Sequence, residues 1–193
     1  MANVTISRKT KETDITLSFD LYGSSKANID TGCGFMDHML TLFCCHGGFD
    51  LSVKCVGDKD VDFHHSIEDI GICLGDAFKK AVGDCRGIAR YGEAVIPMDE
   101  SLALCAIDVS GRSVLAFDLG ALTEKIGDMD TELVKEFFTA FVHHSGVTLH
   151  LSALAGENTH HKIEAAFKAF ARALKKATEK TGVDAIPSSK GII

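Results

Sequence analysis

Two histidine–acid clusters, His64-His65-Ser66-Ile67-Glu68 and His160-His161-Lys162-Ile163-Glu164, stand ninety-six residues apart, and each opens a stretch with helical periodicity. On a helix of about 3.6 residues per turn, His64 and Glu68 are i and i+4 and share a face, whereas His64 and His65 diverge by roughly 100°. One helix start can therefore give two ligands to one metal ion and a third to another. Two such starts facing each other could hold two ions. A single histidine pair is as readily an exposed helix start, but two copies in matching contexts favour a duplicated metal site.

The duplication extends well past the histidines. His46-Gly47-Gly48-Phe49-Asp50-Leu51 aligns with His144-Ser145-Gly146-Val147-Thr148-Leu149 at an offset of 98, and a two-residue deletion then brings the HHxxE segments into register at 96. Downstream, Ala77, Lys79, Lys80 and Ala81 match Ala173, Lys175, Lys176 and Ala177; upstream, Glu12, Asp20 and Gly23 match Glu100, Asp108 and Gly111 at an offset of 88. Offsets that shift only at loops mark an internal repeat. The alignment sets His38 opposite Glu136, so the ligand set is His38, His64, His65 and Glu68 in one half and Glu136, His160, His161 and Glu164 in the other. Nitrogen and carboxylate donors without thiolate favour Mn, Fe, Co or Zn over a structural cysteine–zinc site.

These residues need elements to hold them. Residues 13–21 alternate as a half-buried strand, and 102–109 followed by 113–119 predicts a hairpin through Ser110-Gly111-Arg112. Residues 36–46 and 132–144 carry apolar side chains at helical spacing, with Gly48 and Gly146 as stop signals. Short strands over 51–56 and 147–154 follow, then helices over 64–82 and 160–180. The expected fold is α+β: two fused repeats, each a small sheet with helices on one face. The repeats run over about 1–87 and 88–193 of a single domain with one core, and the junction lies in residues 85–94.

Composition narrows the function further. The chain has 193 residues, 46% of them hydrophobic, and only two prolines, which bespeaks an ordered globular protein. A net charge of −7 argues against a nucleic-acid or anionic-membrane surface, so any cationic pocket must be local. Seven cysteines, an odd number set in apolar runs, fit buried free thiols in a reducing compartment. Residues 1–7 carry no leader-like pattern and no apolar run approaches the roughly twenty residues of a membrane span, so a soluble, cytoplasmic protein is expected. Asp58, Asp60 and Asp62 mimic the start of a calcium loop, but Phe63 stands where Gly is needed and Asp69 replaces the closing Glu. His143, His144 and His150 read as packing or helix-end residues.

The segment leading into His38, Asp30-Thr31-Gly32-Cys33-Gly34-Phe35-Met36-Asp37-His38-Met39-Leu40, is distinctive in itself. With it the chain closely resembles the imidazoleglycerol-phosphate dehydratase family. Thr10 to Thr13, His64 to Asp69, Arg90-Tyr91-Gly92, Pro97 to Glu100, Ser110-Gly111-Arg112, Glu136-Phe137-Phe138, Gly156 to Lys168 and Pro187 to Gly191 match in family order over nearly the whole chain. The resemblance implies two Mn(II) ions per active site, held by the duplicated HHxxE segments with His38 and Glu136 as further ligands. Many members carry His where this chain has Glu136. It also implies sites formed between subunits of a homo-oligomeric cage of twenty-four chains.

The implied reaction removes water from imidazole glycerol phosphate to give imidazole acetol phosphate, a step of histidine biosynthesis. Metal ions on both ring nitrogens would act as Lewis acids, with His64, Glu68, His160 and Glu164 in the catalytic set. Glu12 is the implied acid or base near the glycerol chain. For the phosphate, the resemblance points to Arg90, Arg112, Lys168, Ser188, Ser189 and Lys190, with His38, His46 and Asp99 as further substrate contacts. Two other classes share the ligand pattern: a di-metal hydrolase, which would release phosphate without dehydration, and a metal-storage oligomer, which would take up metal without turnover.

Overall fold

The computed structural model describes residues 3–193; Met1 and Ala2, part of the segment read for a leader, lie outside them. In β2 (Thr13–Asp20) the buried side chains are Thr13, Ile15, Leu17 and Phe19, and in β6 (Ser101–Asp108) they are Ser101, Ala103, Cys105 and Ile107. This period of two turns one face of each strand to the core. On one side of β2 lies β1 (Val4–Lys9), antiparallel; on the other lies β4 (Asp50–Gly57), antiparallel, with β3 (Ala27–Asp30) parallel beyond it. The second sheet repeats the plan with β5 (Tyr91–Met98), β6, β10 (Thr148–Ala155) and β7 (Val114–Asp118). The two orders, β1-β2-β4-β3 and β5-β6-β10-β7, are the same design twice. A short hairpin of β8 (Lys125–Ile126) and β9 (Met129–Asp130) precedes the third helix.

The four helices are α1 (Gly34–Gly47), α2 (His64–Val82), α3 (Leu133–Ser145) and α4 (Thr159–Ala177). Gly48 and Gly146 end α1 and α3 in the same left-handed conformation, φ 75° and ψ 21°, and their N–H groups donate to Cys44 O and Val142 O. Glycine takes this backbone without Cβ strain, which is why the stop signals work. Packing then crosses the repeats: α1 lies on α4, and α2 lies on α3. The α2–α3 approach depends on Gly71 and Gly75, where a Cβ would come within 2.6 Å of the Phe137 carbonyl oxygen and 2.7 Å of that of Phe141. Across the α1–α4 seam the rings of Phe43 and Phe170 stack at 5.3 Å, and Phe138 of α3 meets Phe167 of α4 at 5.0 Å. One hydrophobic cluster therefore runs through both repeats.

One expectation about the strands needs correcting. Strands β6 and β7 do not form a hairpin through Ser110-Gly111-Arg112, because β10 lies between them and pairs parallel to β7. The hairpin partner of β6 is β5, joined through Asp99 and Glu100 and overlapping the segment read as the junction. Both β5 and the unforeseen β1 are edge strands. Cys33, Cys44, Cys55, Cys73 and Cys105 are buried free thiols, and burial pushes Cys44 and Cys73 up to about 12; Cys85 is half-buried and Cys45, against expectation, is exposed.

Candidate active site

The α1–α4 seam gathers the first candidate ligand cluster. Asn158 caps α4 by accepting the His161 N–H, and the first turns of the helix set His160 and Glu164 on one face. Helix α1 crosses there and delivers His38. Glu164 Oε2 lies 3.1 Å from His160 Nε2 and 3.4 Å from His38 Nε2, and one ligand atom from each of the three residues falls within 4.8 Å of the others. Metal bonds to nitrogen or oxygen run about 2.0–2.2 Å, so donors on opposite sides of one ion stand ~4.4 Å apart. The triad thus needs only a small closure to hold a divalent ion, and two imidazoles with a carboxylate suit Mn, Fe, Co or Zn.

The charge of this cluster is fixed by its neighbours. Burial opposes ionisation of Glu164, but the Lys168 ammonium, 2.5 Å from Oε1, together with His160 and His38, outweighs it and holds the carboxyl below its ordinary range. The Phe35 ring packs edge-on to His160 at 5.2 Å and walls one side of the ligand. Deeper along the seam, His46 is pushed toward its neutral form by burial and by Lys168 and Arg172.

The second set does not close in the same way. Among the described residues, Glu136, His64 and Glu68 form no comparable cluster. His65 and His161 instead point their Nδ1 atoms at carboxylates. The His65 Nδ1 lies 2.9 Å from Asp58 Oδ2, and the His161 Nδ1 lies 2.7 Å from Glu100 Oε2. These hydrogen bonds raise both histidines, while Glu100 drops to about 2 because His161 and the Asn158 N–H both donate to it. Each ring keeps its Nε2 on the far side. Glu12 is exposed, with its nearest oxygen 3.9 Å from that Nε2 of His65.

The cations fall into two groups. Arg90 and Arg112 share Asp108, at 2.8 and 3.3 Å, and Arg90 also donates to the Pro187 carbonyl, which draws Ser188, Ser189 and Lys190 to the same end of the molecule. Lys168 and His46 stay with the triad. The Arg90 N–H donates to Ala177 O at the last turn of α4, nine residues or about 13 Å along the helix from Lys168. A cavity of about 740 Å³ opens between Tyr22, Ser24, Gly48, Arg172 and Lys175, but it lies twelve residues, roughly 18 Å, along α4 from His160 and is not where the ligands are. Sequence reasoning had missed Asp58, Glu100, Arg172 and Phe35 as parts of this site. A signal for the first was present: the two-residue deletion between the repeats falls in the loop that carries Asp58.

A family model described as imidazoleglycerol-phosphate dehydratase matches residues 31–174, a span that takes in His38, both HHxxE segments, Glu136 and Lys168. The chain belongs to the imidazoleglycerol-phosphate dehydratase family. Membership makes it a hydro-lyase of histidine biosynthesis. It is 56% identical over 189 residues to the imidazoleglycerol-phosphate dehydratase of Acetivibrio thermocellus, covering 97% of each chain, and 56% identical to that of Clostridioides difficile, again over 97% of each. Solved dehydratase structures share the fold: that of Staphylococcus aureus superposes with a TM-score of 0.84 at 42% identity, covering 93% of this chain and all of that one. That of Pyrococcus furiosus gives 0.84 at 34% identity, covering 97% and 100%. Among the described residues no helix is long and apolar enough to cross a membrane.

Proposed function

We propose that the chain dehydrates imidazole glycerol phosphate to imidazole acetol phosphate with Mn(II) as its cofactor, two ions per site, in a cytoplasmic homo-oligomer. The observation that carries this reading is the convergence of His38, His160 and Glu164 next to Lys168, a metal-type donor set one helical turn from an ammonium group. When bound, the ions supply Lewis acidity toward the imidazole nitrogens, so that a barely acidic carbon proton can leave. The remaining work falls to the chain. His64, His65, Glu68 and Glu136 complete the ligand set, and His161 joins His160 at the start of α4. Lys168 and His46 hold the phosphate end, and Glu12 moves the proton, since it is exposed beside His65. Loss of the carbon proton and of the neighbouring hydroxyl yields one water and an enol, which becomes the ketone.

Geometry supports the oligomer. Arg90, Arg112, Ser188, Ser189 and Lys190 gather at the C-terminal end of α4, about 25 Å along the helix from His160, so one small substrate cannot touch both groups of a single chain. A second copy presenting its arginine end to the first copy's triad brings them together, and the twenty-four-chain cage of the family resemblance is the assembly we favour. The test adds imidazole glycerol phosphate to metal-free and Mn(II)-loaded protein. Imidazole acetol phosphate should form only with the metal, and His160→Ala should lose both manganese and turnover. Absence of product from the loaded protein overturns the reading; free phosphate without dehydration would make it a hydrolase.

A further inference from the structure

The repeat equates Glu12 with Glu100: each immediately precedes its strand, β2 or β6, and each faces the second histidine of the helix start in its own half. Equivalent residues should make equivalent contacts. They do not. Glu100 places Oε2 2.7 Å from the Nδ1 of His161, whereas Glu12 stands 3.9 Å from the opposite nitrogen, Nε2, of His65. The Nδ1 of His65 is taken instead by Asp58, at 2.9 and 3.2 Å.

The cause is a loop-length difference. Residues 58–63 join β4 to α2, but only residues 156–158 join β10 to α4. The position after β4 is Asp58 and the position after β10 is Gly156. That glycine cannot be replaced by an acid: its φ is +120°, and a Cβ there would come within 2.1 Å of the Ser101 Oγ. The second half therefore has no room for a counterpart of Asp58. Glu100 fills the role, and it is held for it: its Oε1 accepts from the Asn158 N–H at 3.0 Å, the Ser101 hydroxyl at 3.1 Å and the Glu157 N–H at 3.4 Å, leaving Oε2 for the ring.

A carboxylate on Nδ1 fixes the histidine tautomer with its proton on that nitrogen, orients the ring and leaves the Nε2 lone pair facing outward for an ion. We propose that Asp58 and Glu100 are the positioning carboxylates of His65 and His161, drawn from non-equivalent places in the two repeats, and that Asp58 thereby releases Glu12 from a histidine-holding role. The proposal rests on the reading of His65 and His161 as metal ligands. It accounts for why one of two equivalent glutamates is available for proton transfer and the other is not.

The test is Mn(II) binding to the assembled, metal-free protein, titrated with the metal alone. Asp58→Asn and Glu100→Gln should each weaken binding by about 10–100-fold, the usual cost of losing an outer partner of a ligating histidine, with oligomer size unchanged and the metal-free melting temperature lowered only slightly. Glu12→Gln should bind Mn(II) as the parent does, although its equivalent Glu100→Gln does not. If either amide variant fails to assemble, Asp58→Glu and Glu100→Asp, which keep the charge at altered reach, should bind with intermediate affinity. Unchanged affinity in Asp58→Asn and Glu100→Gln, with loss of binding in His65→Ala and His161→Ala, overturns the positioning roles alone. Unchanged affinity in the histidine variants as well overturns the ligand reading with them.

Discussion

One turn beyond Glu164, α4 carries Lys168 and then Arg172, whereas the equivalent positions of α2 are Ile72 and Asp76. The histidines that face them follow suit. His46, on α1, looks toward Lys168 and Arg172, which together with burial disfavour its charged form. Its counterpart His144, on α3, places Nδ1 3.0 Å from Asp76. The backbone plan of the two seams is the same, yet one seam sets Lys168 and Arg172 against the single carboxylate of Glu164, while the other pairs its histidine with Asp76. Duplication copied the positions of the histidine pairs and of the glutamates that follow them, and divergence of the facing helix surfaces gave the two seams different charge. The same division separates Glu100, locked on a histidine, from Glu12, which is not.

The largest effect that would break this comparison is expected at the two glutamates. Glu12→Gln should lower kcat by about 10²–10⁴-fold, the range for a positioned acid or base, while keeping its manganese. Single-turnover measurements on Mn(II)-loaded protein check it. Unchanged turnover would show that release from the histidine had no catalytic purpose.

A smaller effect is expected on the charged seam. Lys168→Gln removes a charge-assisted contact of about 1.5–3 kcal/mol, so kcat/KM for the phosphorylated substrate should fall by roughly 10–100-fold. Imidazole glycerol lacking the phosphate should be turned over equally by parent and variant. The reciprocal change, Ile72→Lys in the neutral seam, should alter neither value. An equal loss on both substrates would mean that Lys168 serves Glu164, with which it also pairs, and not the phosphate.

How far the sequence reached depended on which forces wrote it. Helix α2 was readable from His64 to Val82 because periodicity, the stop after Val82 and the chemistry at its start all agree. Strand β5 was hidden because Pro97 argues against a strand, and it is tolerated only because β5 lies at a sheet edge where its missing N–H costs no ladder bond. The false hairpin arose because a three-residue connection with glycine looks the same whether the next strand turns back beside β6 or passes over to leave room for β10. Within the site, His38, His160 and Glu164 were legible from spacing and repeat alignment together. Asp58 was not, because its only local pattern was that of a failed calcium loop. Its meaning depends on a tertiary contact with His65 and on a glycine in the other repeat.

The smallest effect concerns acid and separates the two glutamates without any metal. Glu100 has its folded value depressed to about 2 from an ordinary 4.5, so the contribution of its contacts to stability is fully present above 4.5 and is lost as pH falls through about 2. His161 is the other side of the same contact. Its raised value means that its share is present below the ordinary histidine value near 6.5 and is lost as pH rises through the raised one. In metal-free protein, the melting temperature of Glu100→Gln should therefore lie below that of the parent near pH 5–6, with the gap narrowing toward pH 2 and again at alkaline pH. Both groups face solvent, so the gap should be small and should shrink further in high salt. A difference between parent and Glu100→Gln that is flat from acid to alkali would show that the glutamate contributes shape and not charge, and would remove the electrostatic half of the contrast between the repeats.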